Sequence, residues 1–336
     1  MKHLKDFIKR YQLISFITLT YAFSWALWLL FQPLYLGGEV ISAPFIMLGI
    51  FGPALVSILL SAIIKPGKKS GNRKSAPIAF ILVWISSFLL FTLDQIINEG
   101  RSISPLLLAV SAVVALLPAF VLSMAFYSAP GIRHLLATLV KPKGALGYYF
   151  LALLLFPVIW GLGIIITRAL GMEVPKLEVP TVGLQFVGVI LLAFFYTFIF
   201  TGLSEEPGWR GFALPRLQAK LSPLVASLIL GVIWAVWHAP ARFSGFESKS
   251  VEDTIVAWIF IVFMTIIFTW IYNRTTRSLL ATVLLHTSMN ITSNFIPLTI
   301  GAILILVVFL VFAIVRDRMW RKLPPEDQIE LTTDTY

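Results

Sequence analysis

A chain of 336 residues with 58% apolar and only 12% charged side chains falls outside the range of soluble globular domains, where about a quarter are charged. The mean hydropathy is +0.90, and apolar runs of about 20 residues show no two-residue alternation. These features predict an all-α, polytopic membrane protein, because lipid offers no partner to an unpaired backbone amide. The formal charge of +10 does not point to nucleic acid, since the basic residues are scattered among short loops. The absence of cysteine excludes disulfides, thiolate zinc sites and cysteine nucleophiles.

The chain opens with "MKHLKDFIKR" and runs into a full-length apolar segment without a small-residue cleavage site, which reads as a retained first helix. Hydropathy windows predict ten spans, at 12–33, 41–64, 77–98, 104–128, 147–170, 183–204, 222–242, 252–272, 278–295 and 297–315. Pro297 is expected in the first turn of the last one. With the N-terminus cytoplasmic, the inside segments hold all but five of the 26 Lys and Arg residues; the five are Arg101, Arg168, Lys176, Arg242 and Lys249. That asymmetry supports ten spans with both termini cytoplasmic. Three regions follow: membrane helices without a recognised motif at 1–146, a membrane core at 147–315, and a cytoplasmic tail at 316–336. "GIRHLLATLVKPKG" at 131–144 is basic and partly apolar, and is expected to lie along the inner interface. The end of the tail, "LPPEDQIELTTDTY", is expected to be disordered.

Titratable side chains inside spans cost roughly 2.5–3.5 kcal/mol each on insertion scales, so they usually face the bundle interior and serve a function. Asp94 and Arg168 lie near outer span ends, within reach of water. The remainder gather in the C-terminal half: Glu205 and Glu206 end the sixth span, His238 lies in "WAVWHAP", and His286 and Asn290 lie in "LLHTSMN". His286 and Asn290 are four apart and share a helix face; so do Trp234 and His238, and Glu206 and Arg210. Glu205 projects about 100° from Glu206, so the two carboxylates should differ in role. The set resembles a water-activating site: a carboxylate base, a partner imidazole and donors for a developing oxyanion. Pro207 is expected to break the helix after Glu206, with "GFALPRLQAK" a short interfacial segment. Counted along straight spans, His286 lies about 12 Å deep, His238 about 24 Å, and Glu205 near the surface.

"EEPGWRG", an aromatic four residues before a His, and H-x-x-x-N in that order resemble the CAAX protease and bacteriocin-processing (Abi) family of intramembrane endopeptidases, whose motifs are EExxxR, FxxxH and Hxxx(N/D). Here these are Glu205, Glu206 and Arg210; Trp234, in place of the usual Phe, and His238; and His286 and Asn290. The resemblance covers 183–297. It implies peptide hydrolysis in the membrane, with Glu205 and His238 activating water, His286 and Asn290 binding the oxyanion, and Glu206, Arg210 and Trp234 in support. It implies a peptide or lipidated protein as substrate, and the short loops and absence of cysteine suit a prokaryotic plasma membrane. Zinc held by Glu and two His is the less favoured alternative to a mechanism without cofactor. A serine protease would need a Gly-x-Ser-Gly turn and an aspartyl protease two intramembrane Asp residues, and the chain has neither arrangement. The remaining rival is a transporter or bacteriocin-immunity scaffold that uses the same cluster for binding.

Overall fold

The computed structural model describes residues 2–67, 75–127, 129–175, 184–243 and 250–324. The end of the tail and the basic loop at 68–74 lie outside them. Among the described residues the chain is helical throughout, without strands, as a membrane-spanning backbone requires.

The helices run in chain order as α1 (Lys2–Arg10), α2 (Gln12–Leu36), α3 (Ala43–Ile50), α4 (Gly52–Ile64), α5 (Ser75–Ile97), α6 (Pro105–Val114), α7 (Leu116–Met124), α8 (Pro130–Val140) and α9 (Gly147–Ala169). Then come α10 (Gln185–Gln218), α11 (Pro223–Trp237), α12 (Ala239–Phe243), α13 (Val251–Arg274), α14 (Leu279–Phe295) and α15 (Ile300–Arg316). Each of the ten expected spans coincides with helix. Six are long and apolar enough to cross a membrane, and Val40–Ile50 with Gly52–Ile64, bent by 49°, makes a seventh. The other three, α11, α14 and α15, have 15, 17 and 17 residues. At 1.5 Å per residue they measure roughly 22–26 Å, short of a hydrocarbon core of about 30 Å.

The helix starts follow local chemistry. The hydroxyl oxygens of Ser104, Ser222, Ser250, Ser278 and Thr299 accept backbone N–H groups in the first turns of α6, α11, α13, α14 and α15, satisfying donors that lack an intrahelical partner. Thr299 caps α15, so Pro297 lies in the preceding linker and not in the first helical turn. Side-chain placement is lipid-adapted: Leu29, Leu30 and Val308 point outward, whereas Ser24, Ser57, Thr265 and Thr282 are buried.

The principal departure is at α10. It continues for 34 residues to Gln218, through widened π-helical turns at Phe198–Gly202 and Pro207–Ala213. A proline inside an α-helix removes one hydrogen bond and presses on the carbonyl four residues back. The wider i→i+5 turn that starts at Pro207 accommodates this without ending the helix. "GFALPRLQAK" is therefore not an interfacial segment: Phe212, Ala213, Leu214, Pro215 and Leu217 are buried. By contrast α8 is amphipathic, with Ile132, Leu135, Leu136 and Leu139 buried and Arg133 and His134 exposed.

The N-terminal helices buttress this part of the chain. Phe16 of α2 packs on Trp209 and Phe212, the Trp25 indole donates to the Trp237 carbonyl at 2.9 Å, and Tyr21 donates to the Ile233 carbonyl. Gly208 closes on α4 so tightly that an added Cβ would stand 2.6 Å from the Pro53 carbonyl oxygen.

Candidate active site

Because α10 does not end at Glu206, the two carboxylates sit within a buried helix and not at a span end. Glu205 is 3% and Glu206 0% exposed, and their side chains diverge as the helical step of about 100° requires.

Glu206 faces α14. Its Oε1 accepts from Arg210 Nη1 at 2.8 Å and lies 2.8 Å from His286 Nδ1. All three side chains are buried, where charges are retained only if paired. The Arg210 guanidinium also lies 4.4 Å from the Trp234 ring and 4.1 Å from Phe268, two rings that meet each other edge to face, and such an aromatic corner favours a weakly hydrated planar cation over lysine.

Glu205 faces α11. Its Oε2 accepts two indole N–H groups, from Trp234 at 2.6 Å and Trp209 at 3.2 Å. Oε1 takes none among the described residues. Trp234 is thus the hub of the site. It holds Glu205, its ring lies 6.0 Å from His238 and 5.4 Å from His286, and its own carbonyl oxygen is 2.9 Å from His238 Nδ1. A carbonyl can only accept, so in this contact His238 carries its proton on Nδ1 and keeps Nε2 as the basic nitrogen. Trp237 stands edge-on to His238 at 4.9 Å. His286 is set likewise: Nδ1 is committed to Glu206, and the ring is flanked edge-on by Trp234 and by Phe268 at 5.7 Å.

The structure therefore gathers Glu205, Glu206, Arg210, Trp234, His238 and His286 into one connected cluster. Asn290 stands one helical turn beyond His286 on α14, half-buried, and its amide forms no hydrogen bond to the protein among the described residues. Asp94, left out of the site on sequence grounds, accepts from Asn98 at 2.8 Å and is no part of it. Two contributors were missed. Trp209 is four residues from Glu205, the same spacing that ties Glu206 to Arg210, so the signal was present inside "EEPGWRG". Phe268 comes from α13, and nothing in the sequence of that helix marks it.

As to metal, no three His, Asp or Glu side chains among the described residues converge closely enough to hold one ion. One ring nitrogen of each histidine is already engaged, His286 by a carboxylate and His238 by a carbonyl. Such engagement is also the usual support of a metal-bound histidine, so it is the lack of three converging donors among the described residues that does not fit a zinc site.

Residues 187–292 match the family described as type II CAAX prenyl endopeptidase, Rce1-like. That interval contains every residue of the three motifs. A similar protein, CAAX prenyl protease 2 of Methanococcus maripaludis, is 26% identical over 155 residues, covering 44% of this chain and 55% of that protein. The chain thus matches about half the length of that relative.

Proposed function

We propose, from the premise that residues 187–292 carry an Rce1-like CAAX prenyl endopeptidase domain, that this chain is an intramembrane endopeptidase in which Glu205 and His238 activate the water. One observation carries the reading. Each polar side chain of the cluster is anchored through one atom while another is left open: Glu205 by Oε2, His238 and His286 each by Nδ1. Fixed groups with one open functional atom are what positioning catalysis requires.

In this mechanism Glu205 Oε1, with His238 Nε2, takes a proton from water as its oxygen attacks the scissile carbonyl carbon. The carbonyl oxygen becomes an oxyanion, and the C–N bond breaks as the proton passes to the leaving nitrogen. His286 Nε2 and the Asn290 amide face the oxyanion. Because Nδ1 already donates to Glu206, Nε2 donates as well only when the ring is an imidazolium. Glu206 is the group that stabilises that form. Arg210 pairs with Glu206 at 2.8 Å, so the second carboxylate acts through His286 as a positioning residue. Oxyanion donors of this kind are typically worth about 10²–10³ in kcat.

The substrate class is a membrane-associated peptide, and the relative's name makes a prenylated C-terminal peptide the first to test. The chain reconstituted in vesicles should cleave such a peptide with the rate unchanged by chelator and without stoichiometric zinc. Stoichiometric zinc with chelator-sensitive cleavage would overturn the metal-free mechanism.

A further inference from the structure

Helix α11 ends at Trp237, and His238 follows as the residue that closes it. A helix end is the part of an element most prone to fray, because its last carbonyls lack intrahelical partners. The helix itself holds the imidazole through one hydrogen bond, from Nδ1 to the Trp234 carbonyl. Further support comes from α2, which lies outside the family match at 187–292. Tyr21, Trp25 and Trp28, spaced by four and three residues, share one face of α2.

All three engage the end of α11. The Tyr21 hydroxyl donates to the Ile233 carbonyl, and the Trp25 indole donates to the Trp237 carbonyl at 2.9 Å. The Trp28 ring lies 4.7 Å from that of Trp237. Trp28 is itself firmly seated: its Nε1 donates to the Ile46 carbonyl of α3 at 3.2 Å, beside Gly49, where an added Cβ would stand 2.5 Å from the same nitrogen. These contacts converge on Trp237. It is 1% exposed, and its ring meets two others edge-on, His238 at 4.9 Å and Trp209 at 5.6 Å. Trp209 donates to Glu205 Oε2 at 3.2 Å. One indole therefore abuts both the imidazole and a residue that holds the carboxylate, so a shift of Trp237 would displace the two groups relative to each other.

We propose, resting on the roles assigned above to Glu205 and His238, that Trp25 and Trp28 are positioning residues for this pair and act on it through Trp237. The N-terminal region without a recognised motif thereby has a part in the site: α2 fixes the helix end on which His238 stands, while α10 carries Glu205. A misplacement of about 1 Å at a reacting group can cost about 10²-fold in rate. Loosening Trp237 should therefore appear in kcat out of proportion to its effect on stability.

The test compares W25F and W28F with W84F in the reconstituted full-length chain. W84F is the matched control: the Trp84 indole of α5 also donates to a backbone carbonyl, that of Ala112 of α6, at 2.9 Å, but stands on helices that carry no residue of the site. The first readout does not depend on cleavage. Magnetic resonance of histidine labelled in its ring nitrogens, with the His238 signal identified by its loss in H238Q, should show the neutral ring of the parent protonated at Nδ1 alone. W25F and W28F should each show a second, Nε2-protonated population, while W84F keeps the parent pattern. The second readout is cleavage of a membrane peptide. In W25F and W28F kcat should fall about tenfold or more with KM within about twofold of the parent, whereas W84F should keep both within about twofold. Unfolding in mixed micelles should lower the midpoints of W25F and W84F alike. A parent chain that cleaves no peptide would defeat the proposed function and leave the resonance comparison to decide the positioning role. Parent-like His238 signals in both W25F and W28F, or an equal change in W84F, would overturn the inference.

Discussion

Replacing Arg210 by methionine isolates the buried charge network that holds His286. Arg210 is 0% exposed, and Glu206 Oε1 receives both its Nη1 and His286 Nδ1 at 2.8 Å. Glu206 Oε2 already lacks a partner among the described residues. In R210M the carboxylate therefore depends on His286 alone. Methionine refills much of the space beside Trp234 and Phe268 and retains favourable sulfur–aromatic contact, so the loss is chiefly that of the counter-charge. Removing one partner of a buried pair costs about 3–5 kcal/mol, which lowers the folded-to-unfolded ratio by roughly 10²–10³-fold or slightly more. Reversible unfolding in mixed micelles, with increasing dodecyl sulfate in dodecyl maltoside, reads this directly. The double variant E206Q/R210M should recover most of the loss, because a neutral amide needs no counter-charge and its oxygen still accepts from His286. A coupling of at least about 2 kcal/mol between the two sites is expected. Additive losses, or an R210M variant within about 1 kcal/mol of the parent, would refute the account of a mutually dependent buried network.

Other expectations follow from the same geometry. W234F removes the 2.6 Å donor to Glu205; a hydrogen bond to a charged group is worth about 1.5–3 kcal/mol, so peptide cleavage should fall roughly 10–100-fold. W209F removes the 3.2 Å donor and should cost less, and the order of the two rates checks the assignment. N290A should lower kcat by about 10²–10³ while leaving micellar unfolding unchanged, since the amide has no hydrogen bond to lose among the described residues. G208A forces a Cβ to within 2.6 Å of the Pro53 carbonyl oxygen, and overpacking of this kind typically costs about 1–3 kcal/mol. Its unfolding midpoint should drop even though alanine favours helix.

How much was visible beforehand differs element by element. The helical, membrane-embedded character follows from composition because a backbone in lipid has few options, and the pairing of Glu206 with Arg210 follows from a spacing of four. The continuation of α10 past Pro207 was not legible. A proline ordinarily signals a boundary, and the widened turn that rescues it leaves no periodic trace. The same proline also makes a buried segment read as interfacial. The link between Glu206 and His286 joins residues 80 apart in sequence, and only packing of α10 against α14 reveals it. The contribution of α2 was equally hidden, since Trp25 and Phe16 read as ordinary lipid-embedded aromatics until they are seen against Trp237 and Trp209.

The central claim is that Glu205 is the base of an intramembrane peptidase, and the most direct measurement is cleavage of a membrane peptide by reconstituted E205Q. The amide oxygen introduced by E205Q can still accept the two indole N–H groups, so the fold and the Trp234 contact persist while the basic oxygen is gone. The account expects parent-like unfolding with cleavage reduced by at least about 10²-fold, and a substantial though smaller loss in E206Q, where His286 keeps an acceptor but loses its charged partner. Cleavage by E205Q at the parent rate would contradict it.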